Sequence, residues 1–262
     1  MSFERFAEQH GLIIKDLIMD RWVRVPTIDH PTKRNGSYIF HGYSGAVQNW
    51  ALHEKPIVWR GQNHNPQLIQ HRIAKANEEL AKKQNKAATR AAWMLKKAVK
   101  STHPYLVKKG FPDEKGYVFE GNLLIPMRID GNLVGCQTID PSGKKKFLYG
   151  QKTKGASAVF DNKGSIILCE GYATALSVRR YLKSHRCRYT IHVCFSAANL
   201  IEVAKKFSDC VVVADNDAVG VRSAKKTGRP YWVSPKVGED FNDYELRMGA
   251  NADRGLLKLV AR

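Results

Sequence analysis

The chain has 262 residues, 43% of them hydrophobic, enough for one large or two small domains with a real core. Its 43 Lys and Arg against 24 Asp and Glu leave a formal net charge of +19, a balance that attracts polyanions, nucleic acid foremost. No stretch approaches the roughly 18 to 20 uninterrupted apolar residues of a membrane span, and the opening MSFERFAEQHGL is too charged for a signal peptide. No membrane partner and a cytoplasmic location are therefore expected.

Apolar positions at Phe3, Phe6, Leu12, Ile13, Leu17 and Ile18 predict a short helix, a break at Gly11, and a second helix opening near Ile13. From Trp22 to Arg60 the runs GSYIF, GAVQNWAL and KPIVWRG, separated by Gly, Pro and Ser, predict a small antiparallel β-module. Trp22, Tyr38, Tyr43, Trp50 and Trp59 interleave there with Arg21, Arg24, Lys33, Arg34 and Arg60. Such a mixture suits base stacking with phosphate neutralisation, and equally the core of a small sheet. Arg34 and Trp50 are the candidate DNA contacts of this module.

Residues 66–100, rich in Ala, Lys, Gln and Leu with only a leading Pro, predict one long helix. Its Lys82, Lys83, Lys86 and Arg90 meet few counter-charges, which fits a phosphate-tracking face or a solvated linker. THPYLVKKGF reads as a loop and short turn, after which GNLLIPMRIDGNLVGCQTID and KKKFLYG predict two or three strands joined at DG and PSG turns. From Ser165 onward the runs SIILCE, YTIHVCF, CVVVAD and PYWVS alternate with helical stretches at 173–184, 198–207 and 219–227. That alternation predicts a parallel sheet covered by helices.

The five cysteines are odd in number, scattered and mostly inside apolar runs, which reads as reduced, buried thiols. Two H-x-C pairs, His185 with Cys187 and His192 with Cys194, read as core and surface residues rather than a zinc site, because one pair lies on a strand and the other in a loop.

Chemistry in an open parallel sheet collects at the carboxyl ends of its strands. SIILCEG ends its apolar run at Glu170, CVVVADND ends at Asp215 with Asp217 two positions on, and PYWVSPKVGEDFND leads to Asp240 and Asp243. If strand geometry persists, Asp215 and Asp217 point the same way and repel unless a cation lies between them. Oxygen ligands alone suit Mg²⁺ or Mn²⁺ rather than zinc, and such ions act on phosphates. A carboxylate pair capping a helix is the plain alternative for any single D-x-D.

ILCEGYATALSV, VVVADNDAVG and GEDFNDY, in that order and spacing, resemble the motif series of the Toprim domain of DnaG-type primases, topoisomerases and some nucleases. Upstream, GNLLIPMRIDGNLVGCQTID followed by KKKFLYGQKTKGA resembles the basic subdomain that precedes Toprim in bacterial-type primases, and HPYLVKKG and EGYATALS are spelled most like primases of phages, plasmids and other mobile elements. The resemblance covers about residues 102–245. It implies an α/β fold: a Toprim-type parallel sheet flanked by helices (165–248), preceded by a mixed α+β basic subdomain (102–164); to this the residue pattern adds an N-terminal helix and small β-rich module (1–62). Residues 63–101 would be a basic helical connector and 249–262 a C-terminal tail.

The same resemblance implies a DNA primase that makes short RNA primers on single-stranded DNA from nucleoside triphosphates with two Mg²⁺ or Mn²⁺ ions, in a bacterial host's cytoplasm. Glu170, Asp215 and Asp217 would be catalytic, and the same three with Asp240 and Asp243 would hold metal. Lys146 and Lys154 match the family's basic residues, with Arg128, Lys145 and Lys152 as further nucleotide or template contacts. Two departures stand out: Thr174 occupies the place of the Asp in the usual EGYMD, and no Cys precedes Cys136, so a zinc ribbon could bind no zinc here. A helicase would have to come from another chain. The alternatives are a Toprim nuclease, against which stands the lack of a Walker-type run, and a catalytically weak single-stranded DNA-binding replication factor.

Overall fold

The computed structural model describes residues 1–61, 66–249 and 255–260, which divide into two compact units, Met1–Ala76 and Asn77–Arg262. In the first unit helix α1 (Phe3–Gln9), capped by the Ser2 hydroxyl, precedes four antiparallel strands in sequential order: β1 (Val23–Val25), β2 (Gly36–Phe40), β3 (Ser44–Asn49) and β4 (Ile57–Arg60). Phe3, Ala7, Tyr38, Val47 and Trp59 form the core on one face of this sheet. Gly45 is required there, since a Cβ would stand 2.4 Å from the Phe3 ring.

The second helix expected near Ile13 does not form. Gly11 has φ +75°, Leu12 bridges to Thr27, the Ile13 amide donates to the Pro26 carbonyl and the Ile18 amide to the Tyr38 hydroxyl. Apolar side chains at helical spacing serve instead to close one end of the β-module, a case of tertiary pairing overriding a weak local preference.

Helix α2 (Pro66–Lys97) carries the chain into the second unit. There an antiparallel sheet runs in the order β5 (Val99–Ser101), β6 (Gly116–Phe119), β7 (Asn122–Ile129), β8 (Asn132–Ile139), β9 (Lys145–Phe147). Alternation along β7 sends Leu124 to one face, where it meets Ala91 and Met94 of α2, and Leu123 and Ile125 to the other, where they join the main core. The short helix α3 (Pro104–Lys108) lies between β5 and β6.

The remaining chain builds a doubly wound sheet, with strand order β10 (Ala158–Asp161), β12 (Tyr189–Val193), β11 (Ser165–Cys169), β13 (Val211–Ala214), β14 (Tyr231–Val233). The last four are parallel, as the alternating pattern predicted, while β10 pairs antiparallel with β12 at the edge. All four residues of β13 are buried, the signature of a strand covered on both faces. Val211 and Val213 face a core made with α4 (Tyr172–Ser184), α7 (Phe241–Met248) and α8 (Gly255–Val260), whereas Val212 and Ala214 face α5 (Ala197–Ala204) and α6 (Ala218–Thr227).

Part of the expected C-terminal tail is thus a structural element, for Leu256 and Val260 of α8 are buried in the main core. Residue 62 of the N-terminal module, residues 63–65 of the connector, and 250–254, 261 and 262 of the tail lie outside the described residues. None of the described helices is long and apolar enough to cross a membrane.

Candidate active site at the carboxyl edge of the parallel sheet

Three strand-to-helix turns deliver carboxylates to one edge. Glu170 follows β11, Asp215 follows β13, and Asp240 stands at the start of α7. They line a cavity of about 100 Å³, together with Tyr105, Lys109, Gln137, Lys145, Thr174 and Phe195. Asp215 comes close to its helix because residue 220 is glycine: a Cβ there would lie 2.4 Å from the Asp215 carbonyl oxygen. Gly220 closes the stretch VVVADNDAVG, and only a glycine lets the first turn of α6 approach the strand exit so closely.

Asp215 and Asp217 do not continue a strand together. β13 ends at Ala214, and Asp217 caps α6, its Oδ1 accepting from the amides of Val219 and Gly220 at 2.9 and 2.6 Å. Asp240 caps α7 in the same way, accepting from the Asp243 amide at 2.9 Å. Two of the carboxylates therefore double as helix caps, which holds their side chains in fixed orientations. Asp217 borders an open groove of about 460 Å³ shared with Arg222, Lys225 and Val237.

The electrostatics single out Asp215. Burial first, then the charges of Asp240, Glu170 and Asp217, push its carboxyl up to about 7, with Lys145 pulling the other way. Its Oδ1 is buried without a hydrogen-bond partner. Glu170 is raised as well, by burial and then by Asp217, with the Ala197 amide and Lys145 opposing. An unpartnered buried carboxylate oxygen within a field of further carboxylates fits a hard divalent cation, which would satisfy the oxygen and remove the repulsion. Among the described residues no three His, Cys, Asp or Glu side chains already stand close enough to hold a metal ion, so a cation would draw the carboxylates inward. Asp215, Glu170 and Asp240 are placed to do so, with Asp217 beside them.

The other predicted residues divide by position. Lys145 lines the cavity, whereas strand alternation carries the exposed Lys146 to the opposite face of β9. Phe147, on the same face as Lys145, meets the Phe195 ring edge-on. Lys154 pairs with Glu202 at 3.5 Å, Lys152 is exposed, and Arg128 donates to the Gly131 carbonyl across its own turn. Asp243 is exposed and faces Lys109 at 3.7 Å rather than the cavity. Lys82 pairs with Glu78, and Lys83, Lys86 and Arg90 are exposed on α2.

In the first unit the aromatics split. Tyr38 and Trp59 belong to the core, while Trp22 and Trp50 are exposed and border a shallow cleft of about 230 Å³ with Arg24, Ser37 and Gln48. The Arg24 guanidinium lies 3.7 Å from the Trp50 ring centroid and also approaches the Arg34 carbonyl at 3.5 Å. The side chain of Arg34 is exposed.

The H-x-C residues do not assemble. Cys194 is fully buried, His192 bonds to Ser157 at 2.9 Å, and His185 closes α4 against the Tyr181 ring. Thr174 is buried in the first turn of α4 and lines the acidic cavity, so a hydroxyl stands where the resembled motif has a carboxylate.

Residues 165–251 match the family model described as the Toprim domain, and the chain carries a Toprim domain over that span. No curated protein matches the sequence at a significant level. Two solved structures are similar. One is a chain of the bacteriophage T7 lagging-strand DNA polymerase complex with the primase domains of two gp4 subunits bound to an RNA/DNA hybrid and dTTP, at 16% identity over 63% of this chain and 93% of that one, TM-score 0.44. The other is the DnaG catalytic core, at 12% identity over 54% of each chain, TM-score 0.35.

Proposed function

We propose that the protein is a DnaG-like primase, a nucleotidyltransferase that joins ribonucleotides on single-stranded DNA. The observation that carries this reading is Asp215: a buried carboxylate with an unpartnered oxygen, among Glu170 and Asp240 at the edge of a Toprim sheet and faced by Lys145 and Lys109. Acidic and basic groups in one small cavity suit a cation and a polyphosphate bound together.

When bound, divalent ions would neutralise the triphosphate and lower the pKa of the attacking hydroxyl. The chain's own residues do the rest. Asp215, Asp217 and Asp240 hold the positive charge in place, and Lys145 pairs with phosphate oxygens as a point charge. Glu170, its pKa raised by burial, is suited to accept the proton of the attacking hydroxyl. Attack on the α-phosphorus breaks its bond to the bridging oxygen and releases pyrophosphate.

Residues 102–164 with the Toprim domain form the catalytic core of this reading. Exposed Trp22 and Trp50, with Arg24 and Arg34, offer base stacking and phosphate pairing to the template, and α2 offers a basic track. The spelling of the motifs supports a role in phage, plasmid or other mobile-element replication beside a separately encoded helicase.

The test is incubation with unprimed single-stranded DNA, labelled ribonucleotides and Mg²⁺ or Mn²⁺, with Asp215→Asn as control. Short metal-dependent oligomers absent from the control are expected. A cut template would establish a nuclease instead, and binding with no product would reduce the protein to a binding factor.

A further inference from the structure

THPYLVKKGF reads in the sequence as a loop and short turn, and the structure fixes both ends of it. The His103 Nδ1 accepts from the Tyr105 amide at 3.2 Å, so Nε2 carries the proton and donates to the Gly121 carbonyl at 3.0 Å. Pro104 opens α3, where a missing amide proton costs nothing. Gly110 has φ +81° and a Cβ there would meet Leu246 at 2.6 Å.

Two long-range ties then fix the end of the turn. Asn242 on α7 donates to the Lys109 carbonyl at 2.9 Å and to Ser177 on α4 at 3.0 Å. Arg180 on α4 donates to the Gly110 carbonyl at 2.8 Å while gripping Glu245 through both oxygens at 2.9 and 2.8 Å. A five-residue helix has thus been anchored to two helices of the Toprim sheet.

What this anchoring positions are two side chains that line the acidic cavity. Tyr105 is 97% buried, on its 3% exposure, and its hydroxyl has no acceptor for its proton. The Ala173 amide reaches the hydroxyl oxygen, but a buried hydroxyl proton left without an acceptor is unfavourable, and a bound ligand oxygen would relieve it. Lys109, whose ammonium faces Asp243 at a loose 3.7 Å, brings a cation to the same wall. The carboxylates that share the cavity bind cations, whereas a hydroxyl proton and an ammonium seek an anion.

We propose that Tyr105 and Lys109 form a polyphosphate-binding wall, the Tyr105 hydroxyl donating to a non-bridging phosphate oxygen of the incoming nucleotide and the Lys109 ammonium pairing with the same chain of phosphates. The assignment rests on the nucleotidyltransferase reading for its substrate, and extends it to a segment that the acidic motifs do not reach. The binding of a polyphosphate itself does not depend on turnover.

The experiment is calorimetric titration of the full-length protein with Mg·ATP and, separately, with Mg·tripolyphosphate, for wild type, Tyr105→Phe and Lys109→Met. Loss of one hydrogen bond to a charged oxygen predicts about a tenfold weaker Kd for both ligands in Tyr105→Phe, and at least as much in Lys109→Met. Single-stranded DNA affinity and the thermal midpoint should stay at wild-type values. Unchanged affinities, a fall in the midpoint alone, a loss for ATP but not for tripolyphosphate, or a wild type that binds neither would overturn the assignment. Primer synthesis with an unaltered nucleotide KM in both variants would sink the wall and leave the primase standing. Affinity losses in a protein that makes no primer would sink the primase and leave the wall.

Discussion

Asp215 and Glu239 lie near each other in the fold, both beside the exits of the parallel strands, and they have opposite environments. The Glu239 carboxylate is gripped by Arg247 through both oxygens at 2.8 Å and receives the Ser234 hydroxyl at 2.7 Å. Those bonds hold it down at about 2. Asp215 has burial and like charges around it, an orphaned oxygen, and a carboxyl raised to about 7. One carboxylate is satisfied within the protein and fastens the loop before α7, while the other is left for something the protein must bind. In the sequence Glu239 is one more acidic residue of GEDFNDY, and only the fold shows that Arg247 and Ser234 satisfy it.

The largest effect expected on this contrast comes from Asp215→Asn. Turnover should fall by about a hundredfold to a thousandfold, as for loss of a group that stabilises transition-state charge. The metal-free protein should become no less stable, because a repulsive charge has been removed. The pH dependence follows from the shift. A carboxyl that ionises at 3.8 unfolded and near 7 folded binds its proton preferentially in the native state. Its contribution to stability therefore declines as pH rises from about 4 to 7. Thermal midpoints across that window should show a decline that Asp215→Asn flattens, and Mg²⁺ should raise the wild-type midpoint most at the alkaline end. A wild-type slope retained in the variant would remove Asp215 as its source.

Arg247→Met probes the other side of the contrast and should act on stability. Glu239 is depressed from 4.5 to about 2, so its contribution is present above about 4.5 and is lost as pH falls toward 2. The variant should lose a few degrees of thermal midpoint at neutral pH and lose less in acid, with Mg²⁺ affinity close to wild type. Equal losses at both pH values would show that packing of the arginine over the Tyr244 ring, at 5.6 Å, outweighs its charge.

The parts of the molecule legible in the sequence were those whose signal is local. Runs such as SIILC and VVVA announced buried parallel strands, and their terminal carboxylates announced the edge where chemistry gathers. Legibility failed where a residue's role is set by a distant partner. Tyr105 and Lys109 reach the cavity because Asn242, 133 positions away, holds the Lys109 carbonyl. Asp217 would extend the strand beside Asp215 if strand geometry persisted, but the chain turns into α6 one residue later and uses the carboxylate as a cap, the plain alternative for a D-x-D pair. The three-residue strand β5 is too short to show a period, and the apolar residues after Gly11 repeat as in a helix while the chain there pairs with Thr27 and Pro26.

The smallest effect expected concerns charges that have no such fixed environment. Of Lys82, Lys83, Lys86 and Arg90, only Lys82 has an ion-pair partner among the described residues, Glu78 one turn earlier on α2, and all four side chains are exposed. Exposed pairs of that kind contribute little to stability, so replacing all four with Gln should leave the thermal midpoint nearly unchanged. If α2 tracks a DNA backbone, each lost phosphate contact removes about 0.7 from the slope of log K against log salt for a single strand. The quadruple variant should then bind single-stranded DNA more weakly, with a slope lower by about 1–3, and keep its affinity for Mg·ATP. An unaltered slope would make these four lysines and arginines a solvated face, and would shift the template path to the first unit, where Trp50→Ala should then cost about 1–3 kcal/mol in DNA affinity.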